Sequence, residues 1–595
     1  MSYQENLEQT GFYGWKLALT GAQTAFYFAI LPSYMIRLSA GLDASLPAIP
    51  LPMAATATGA VLTLLGLYVM IRAFLVLSYV GKNWPGSATA YLVDKCIYGF
   101  VRHPLFWGYA LFWAGMGFRR RSPGLIILSG GLGLAFAAWA SAVEEPRLAS
   151  AFGERYAEYR RRTPGVIPNW AALRSDAEQL PTVALAVMAA ARLLGAVMWN
   201  IRATGIEHIP TEGPVVFASN HMSIADPHAL AFFVNRPIHY VTADEAFRDP
   251  ILRWFLHANK AICKRKWGRD ISALRAMRRC LDAGEAVGIF PQGQYNWDGG
   301  VNVVSDEVYR VLHYLGAPVV PVTSMGAHES WPAWSTWPAM CDWEVRFFPA
   351  VNPADYQSVT GFRQALESKM FSIAGEPPLP RRALASHRGI TIVAWGCLEC
   401  GGAHTLGETS SGLECSKCGA RWTVTRDLRI VNEKTGQNMV ESEYRAALIE
   451  KLRRGEMEDA PDGVYDLARP ARAYRIGSSS SIADLGSGTL RLANHALTFS
   501  YSGGSVEVPI SDVNFTFLDS HGHLVVSEPE GAYEFDIKND STLRWEDYLM
   551  AARGLTTRRW PTAEEIRARS GGRSSARPSA KSEEREGAPV GVFQQ

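Results

Sequence analysis

Residues 214–228 read "PVVFASNHMSIADPH", an apolar run that ends in Asn220 and His221 and is followed five residues later by Asp226. A short run of Val, Phe and Ala bounded by polar residues predicts a buried strand. The residues after it read as a helix start. Ser223 or Asp226 can cap it, "SIAD" has the form of a capping box with Asp in place of Glu, and Pro227 suits a first turn. In a continuous helix five residues advance about 500°, or about 140° modulo a turn, so His221 and Asp226 would not share a face. A turn at His221 instead lets the Asp226 carboxylate reach Nδ1 and leaves Nε2 to accept a proton from a substrate hydroxyl.

Around this stretch, other short β-rich runs ("AVGIF", "PVVPVT") alternate with helical segments such as 270–283, the pattern of an α/β domain. The chain is longer than one core organises. At 595 residues it predicts several domains of roughly 100–200 residues each. Lys plus Arg (59) nearly balance Asp plus Glu (57), so no overall field argues for a nucleic acid partner. Eight cysteines are too few for a disulfide scaffold and favour a reducing, cytosolic setting.

Apolar residues concentrate in the first 200 positions. Segments 17–36 and 54–80 approach or exceed the roughly 20 residues that span a bilayer, and 105–118 with 122–142 predict a helical hairpin. Four crossings put both ends on one side. Lys82, Lys95 and Arg102, with Arg160, Arg161 and Arg162, mark that side as cytoplasmic, although Arg119, Arg120 and Arg121 then fall on the other. The polar, partly acidic start does not read as a cleavable signal peptide. Segment 181–199 predicts a further apolar helix lying in the interface plane.

The predicted hairpin begins with "RHPLFWG" and is followed by "EEPR" and "FGERYAEYRRRTPGVIP". Folding back would bring Arg102 and His103 toward Glu144 and Glu145, able to meet a ligand's carboxylate and its amine or hydroxyls. Basic and acidic residues also flank membrane helices simply to mark the interface. The motifs over residues 55–170 resemble the isoprenylcysteine carboxyl methyltransferase and phospholipid methyltransferase families. That resemblance implies S-adenosylmethionine held at the membrane by Arg102, His103, Pro104, Gly108, Glu144 and Glu145, with Tyr156 and Tyr159 in the accompanying pattern. Phe106 stands where such families usually carry Tyr. The methyl acceptor is implied only as an apolar substrate.

Residues 220–226 resemble the "NHxxxxD" signature of the glycerol-3-phosphate and lysophosphatidate acyltransferase family, and three more blocks follow in that family's order: "AICKR" with Arg265, "GIFPQG" with Phe290, Pro291 and Gly293, and "APVVPV" with Pro321. The resemblance spans about residues 200–350. It implies His221 and Asp226 as catalytic pair, and Arg265, Gln292 and Gly293 on the acceptor-phosphate side. The donor would be an acyl thioester of coenzyme A or acyl carrier protein. The third block departs from the family's "FPEGTR", with Gln292 for Glu and Tyr295 for Arg, which moves phosphate recognition onto Arg265, helped by Lys264 or Lys266, or points to a different acceptor.

"CLEC" and "CSKC" set Cys397, Cys400, Cys415 and Cys418 at the spacing of a closed tetrahedral Zn²⁺ site, resembling a structural zinc ribbon; free cysteines are the plain alternative. Alternating strands over 472–550 followed by a helix resemble a pleckstrin-homology-like domain. From Thr562 the chain is Arg, Ser, Gly and Glu rich and is expected to be disordered.

The expected fold is therefore multidomain: an α-helical transmembrane bundle (1–170), an α/β acyltransferase domain with a membrane-associated helix (171–385), a small zinc ribbon (390–430), a β-rich pleckstrin-like domain (470–555) and a tail (562–595). The expected protein is an integral inner or cytoplasmic membrane enzyme. Its catalytic domains face the cytosol, it acts on membrane lipids, and it combines lysolipid acylation with S-adenosylmethionine-dependent methylation. Two rivals stand beside it: a membrane scaffold with degenerate domains, and an acyltransferase for a non-glycerophosphate acceptor.

Overall fold

The computed structural model describes residues 26, 30–46, 53–79, 92–94 and 96–165, scattered positions over 167–198, and most of 199–555, with gaps at 235, 266–269, 295, 301, 303, 373–379, 384–386, 462–463, 465, 478–481, 494, 520–521 and 530. The predicted tail at 562–595 and the positive charges at Lys82 and Lys95 lie outside these residues.

The apolar region forms helices α1 (Leu31–Ser45), α2 (Met53–Tyr79), α3 (Pro104–Arg120), α4 (Pro123–Trp139) and α5 (Glu145–Arg162), the last two joined by a π-helical turn at Ala140–Glu144. Two stretches, Ala54–Leu77 and Pro123–Arg162, are long and apolar enough to cross a bilayer. The hairpin sits where its pattern put it, because Pro104 and Pro123 open α3 and α4 and Arg121 takes a left-handed turn between them. Residues 17–25 and 27–29 of the first predicted segment, 17–36, lie outside the described residues, and its end is revised. Helix α1 runs on to Ser45, and its Asp43 accepts hydrogen bonds from Gly124 N (2.7 Å) and Ser122 Oγ at the start of α4, where a carboxylate complements the helix dipole.

Helices α2 and α3 touch backbone to backbone through glycines at seven-residue spacing. A Cβ on Gly66 would lie 2.4 Å from Phe112 N, one on Gly115 2.4 Å from Thr63 N, and one on Gly108 2.8 Å from Met70 N. Small residues permit this approach in membrane helices. Gly108, assigned from sequence to the cofactor, thus serves helix packing and faces α2.

The part after residue 198 begins with a sheet in the order β1-β7-β6-β2-β5-β3-β4, with β8 on β7. Its strands are β1 (Trp199–Thr204), β2 (Val215–Ser219), β3 (Ile238–Ala243), β4 (Ile262–Lys264), β5 (Ala286–Ile289), β6 (Val319–Met325), β7 (Ala339–Phe347) and β8 (Pro380–Ala383). Strands β6, β2, β5, β3 and β4 are parallel, while β7 runs antiparallel to β6. In β2, Val215 and Phe217 enter one core and Val216 and Ala218 the other, so both faces are buried and the run is continuously apolar. The helices are α6 (Asp226–Phe233), α7 (Pro250–Ala258), α8 (Ile271–Asp282), α9 (Asp306–Leu315) and α10 (Val359–Met370). Most of the helix predicted at 181–199 lies outside the described residues, and Trp199 belongs to β1 instead.

Beyond residue 387 come a five-stranded antiparallel sheet, β9 (Leu406–Glu408), β10 (Gly412–Cys415), β11 (Arg421–Val424), β12 (Ile430–Asn432) and β13 (Asn438–Met439), and helix α11 (Glu441–Arg453). A seven-stranded sheet comes next: β14 (Asp466–Gly477), β15 (Ile482–Ala493), β16 (Ala496–Tyr501), β17 (Gly504–Pro509), β18 (Phe515–Leu518), β19 (Leu524–Glu528) and β20 (Gly531–Ile537), closed by α12 (Thr542–Ala552). Its order is β17-β16-β15-β14-β20-β19-β18, and its first strand starts at Asp466, ahead of the predicted 470. Sequence reading treated these two sheets as separate units. One apolar core runs through both, from Leu413 and Trp422 through Tyr444 to Phe535 and Trp545, and it takes in Trp297 and Trp334 from the preceding α/β domain.

Candidate functional site

His221 stands just past the end of β2, at the edge where the parallel strands finish, a common location for ligand sites in open α/β sheets. Its Nδ1 lies 3.0 Å from Asp226 Oδ2. The same oxygen accepts from Met222 N (2.6 Å) and Ser223 N (2.8 Å), and Oδ1 accepts from Ser324 Oγ (2.9 Å). Neither Ser223 nor Asp226 caps α6 with its side chain, contrary to the capping-box reading; Ala225 occupies the cap position. The carboxylate is engaged by the turn, which bends so that residue 226 reaches back to residue 221. Asp226 is almost fully buried, so its charge is compensated by donors alone.

Further contacts fix the ring. Phe290 stacks on the His221 imidazole with centroids 4.2 Å apart. Gln292 accepts the His221 backbone N–H through Oε1 (2.6 Å) and donates through Nε2 to Asn302 O (3.4 Å). Gln292 is 1% exposed, so this residue, placed from sequence on the acceptor side, is part of the wall behind His221. Gly293 has φ 72°, a conformation that favours glycine. Arg265 follows β4 at the same sheet edge, three strands from β2, about 14 Å at the usual strand spacing. Its backbone N–H and guanidinium both engage Asp270. Tyr295 and Lys266 lie outside the described residues.

Sequence reasoning missed Ser324 and Trp343. Ser324 donates to Asp226, accepts from Trp343 Nε1 (2.9 Å), and exchanges backbone hydrogen bonds with the Asn220 amide (2.6 and 3.0 Å). Only its place just after Pro321 hinted at it.

In the helical region the hairpin does bring its ends together. Arg102 pairs with Glu145 (Nη2–Oε1 2.9 Å) and donates to the carbonyls of Arg160 and Thr163, closing the start of α3 onto the end of α5. His103 lies between the two acids, with Nε2 3.2 Å from Glu145 Oε1 and Nδ1 3.3 Å from Glu144 Oε2. Pro104 is the first residue of α3, a structural place. Phe106 stacks beside His103 and on Phe136. Tyr159 donates to Tyr98 O (2.8 Å), whereas the Tyr156 hydroxyl is buried with no hydrogen-bond partner among the described residues.

Cys397, Cys400, Cys415 and Cys418 gather their sulfurs within 4.8 Å of one another, with Cys397–Cys418 at 3.7 Å and Cys400–Cys415 at 3.8 Å. None is in a disulfide. Burial pushes the Cys397 thiol up. Against its own burial, the hydrogen bond it shares with Thr405 and those with the backbone of Lys417 and Cys418 hold Cys415 down to about 6.

Comparison with known proteins divides the chain in the same way. Residues 54–155 match the family model described as Phospholipid methyltransferase, and residues 200–325 match the one described as Acyltransferase. The chain is 27% identical over 135 residues to 1-acyl-sn-glycerol-3-phosphate acyltransferase BAT2, chloroplastic, of Brassica napus, a match over 22% of this chain and 39% of that protein. It is 25% identical over 130 residues to the 1-acyl-sn-glycerol-3-phosphate acyltransferase of Borreliella burgdorferi, over 21% of this chain and 50% of that protein. The matches thus span half or less of these relatives' lengths. The crystal structure of the 1-acyl-sn-glycerophosphate (LPA) acyltransferase PlsC from Thermotoga maritima aligns over 34% of this chain and 84% of that one, at 18% identity and a TM-score of 0.29. A stretch similar to phospholipid methyltransferases is thus followed by one similar to acyltransferases.

Proposed function

We propose that the chain is a membrane lipid-modifying enzyme whose α/β domain transfers a fatty acyl group from a thioester to a lysolipid hydroxyl, with His221 as general base and Asp226 as its positioning partner. The observation that carries this reading is the Asp226 carboxylate. Two backbone N–H groups and Ser324 hold it so that one oxygen meets His221 Nδ1. With Nδ1–H donating to Asp226, the lone pair of the neutral ring lies on Nε2, which is its basic nitrogen. It takes the hydroxyl proton as the hydroxyl oxygen forms a bond to the thioester carbon. The tetrahedral adduct then collapses, the carbon–sulfur bond breaks, and the imidazolium returns the proton to the leaving thiolate. No covalent enzyme intermediate is required.

Gln292 bears on the scaffold alternative. Its Oε1 accepts the His221 N–H as a carboxylate oxygen would, so the Glu-to-Gln change keeps this contact and is compatible with an active site. The names of the two curated relatives favour a lysophosphatidate-like acceptor. The test supplies labelled acyl thioester, from coenzyme A or acyl carrier protein, with a panel of lysolipids. Transfer by the wild type and its loss in His221→Ala support the reading. Full activity in His221→Ala sinks the mechanism, and wild-type inactivity with every lipid alcohol favours the scaffold.

The Arg102, His103, Glu144, Glu145 and Tyr156 cluster supports a second activity, S-adenosylmethionine-dependent methylation of an apolar substrate. The orphaned Tyr156 hydroxyl and the half-exposed Glu144 carboxylate fit a ligand with amine and hydroxyl groups. S-adenosylmethionine, when bound, supplies an electrophilic methyl group. Arg102 holds Glu145 and closes the hairpin, while Glu144 and Tyr156 offer polar atoms to the ligand. Calorimetry on detergent-purified protein tests this. Equal binding by wild type and a His103→Ala plus Glu145→Ala variant would reduce the region to an anchor.

The four cysteines suit a structural Zn²⁺. Zinc–sulfur bonds of about 2.3 Å in a tetrahedron give sulfur–sulfur edges of about 3.8 Å, matching the separations above. The seven-stranded sheet closed by α12 supports a pleckstrin-like reading of the last domain. A thioester donor and the helical region argue for an integral membrane protein with its soluble domains on the cytosolic side.

A further inference from the structure

The segment Asn296–Gly300 ("NWDGG") comes after the third acyltransferase block and joins two parts of the molecule. At one end, the Asn296 N–H donates to the His221 carbonyl (3.1 Å). The loop is internally tied, since Asn296 Oδ1 accepts from Asp298 N (3.0 Å) and Asp298 Oδ1 from Gly300 N (3.1 Å). At the other end it is gripped by the C-terminal region. Asp298 Oδ2 accepts from Arg445 Nη1 (2.9 Å), on α11. The same buried guanidinium also reaches Asp547 (Nε–Oδ2 3.0 Å) and Glu546 (3.4 Å) on α12, and Asp547 accepts in turn from Trp395 Nε1 (2.9 Å). Between these anchors, Trp297 is buried in the C-terminal apolar core, with Gly522 against its ring. Gly299 lies against His328, which is bonded to Glu441 of α11, and Gly300 lies against Ser442.

A buried charge that shares one of its partners across a domain boundary ties the two sides together, because displacing that partner removes part of the charge's compensation. Polar groups in such a network also lose freedom together. Gln292 holds the His221 N–H and the Asn296 N–H holds its carbonyl, so the backbone at the base is fastened from both sides.

We propose that the cysteine-bearing module and the seven-stranded domain form a positioning element of the acyl-transfer site, in which Arg445 grips Asp298, Trp297 locks into the C-terminal core, and the loop 296–300 thereby sets the backbone of His221. Asp298, Trp297 and Arg445 are positioning residues that act through Asn296. The proposal rests on the acyl-transfer reading.

The experiment uses the full chain, labelled acyl-coenzyme A and the lysolipid that the wild type accepts. Asp298→Asn removes the charge facing Arg445 but keeps an oxygen for Gly300 N, while Arg445 keeps Asp547 and Glu546. A displacement of about 1 Å at a catalytic group costs up to about 10² in rate, so kcat per folded molecule should fall about 10- to 100-fold. KM for the thioester should stay within about twofold, the melting temperature near wild type, and metal content unchanged. Trp297→Ala should lower kcat similarly and Trp297→Phe restore most of it. Should Asp298→Asn fail to fold, Arg445→Lys gives the same readout, keeping a cation but losing the reach to three carboxylates. A folded Asp298→Asn or Arg445→Lys with wild-type kcat would overturn the proposal. A wild type without acyl transfer would overturn the acyl-transfer reading and this inference with it, an outcome distinct from active wild type with indifferent variants.

Discussion

Replacing Asp226 by Asn separates the charge of the His221 partner from its shape. In a His–carboxylate pair, an Asn substitution can turn its amide nitrogen to the ring and enforce the wrong tautomer, which costs about 10⁴ in a serine protease. The geometry here forbids that rotamer. Asp226 Oδ2 accepts from Met222 N and Ser223 N as well as from His221 Nδ1, so an amide nitrogen placed there would face two backbone donors at 2.6 and 2.8 Å. The carbonyl oxygen must take that position, and the nitrogen must face Ser324 Oγ, whose hydroxyl can rotate to accept. The tautomer of His221 is then preserved and only the charge is lost. A hydrogen bond to a charged group contributes about 1.5–3 kcal/mol against about 0.5–1.5 for a neutral one, a difference of about 1–2 kcal/mol. At about 1.4 kcal/mol per decade, kcat should fall about 5- to 30-fold, with little change in melting temperature. Asp226→Ala differs in kind. It strands two buried N–H groups at about 1–3 kcal/mol each and should destabilise the domain by several kcal/mol. His221→Ala should lose about 10² to 10⁴ in rate and remain folded. Steady-state acyl transfer and thermal unfolding of the three variants check the ranking. A loss near 10⁴ in Asp226→Asn, or unfolding as severe as in Asp226→Ala, would refute the oxygen-locking argument.

Elemental analysis of protein purified without chelator should find one zinc per chain; Cys415→Ser should lose it and lower the stability of the C-terminal region. Gly66→Ala places a methyl 2.4 Å from the Phe112 backbone, so the α2–α3 pair must separate; a loss of about 1–3 kcal/mol is expected, read from thermal unfolding in detergent. His523 is half-buried, which works against its charge, yet Asp519 and Glu534 push it up to about 10. Its folded pKa exceeds the unfolded value near about 6.5, so its stabilisation is complete below that value and is lost as pH rises toward 10. Denaturation between pH 7 and 10.5 should show a stability decline that His523→Gln lacks.

Features that depend on neighbours in sequence could be read without a structure. Span-length apolar runs forecast α2 and the α3–α4 hairpin, because a bilayer sets helix length and proline sets helix starts. The apolar β2 run forecast a strand, and the five-residue step to Asp226 forecast a turn, since a continuous helix would part the two side chains. Cysteine spacing alone drew four sulfurs to one point. Features that depend on remote partners could not be read. The extension of α1 past residue 36 follows from Asp43 meeting the start of α4, 81 residues away along the chain from Gly124. Gly108 fitted a motif, but only the approach of α2 shows why no side chain is tolerated there. Gln292 read as a lost carboxylate until its oxygen met a backbone donor 71 residues away, and Arg445 gave no sign in sequence of bridging Asp298 to Asp547. The division has one physical reason. Periodicity and turn chemistry are local energies, fixed by residue order, whereas a buried polar group takes whichever partner the packed chain brings within about 3 Å, and only the tertiary fold chooses that partner.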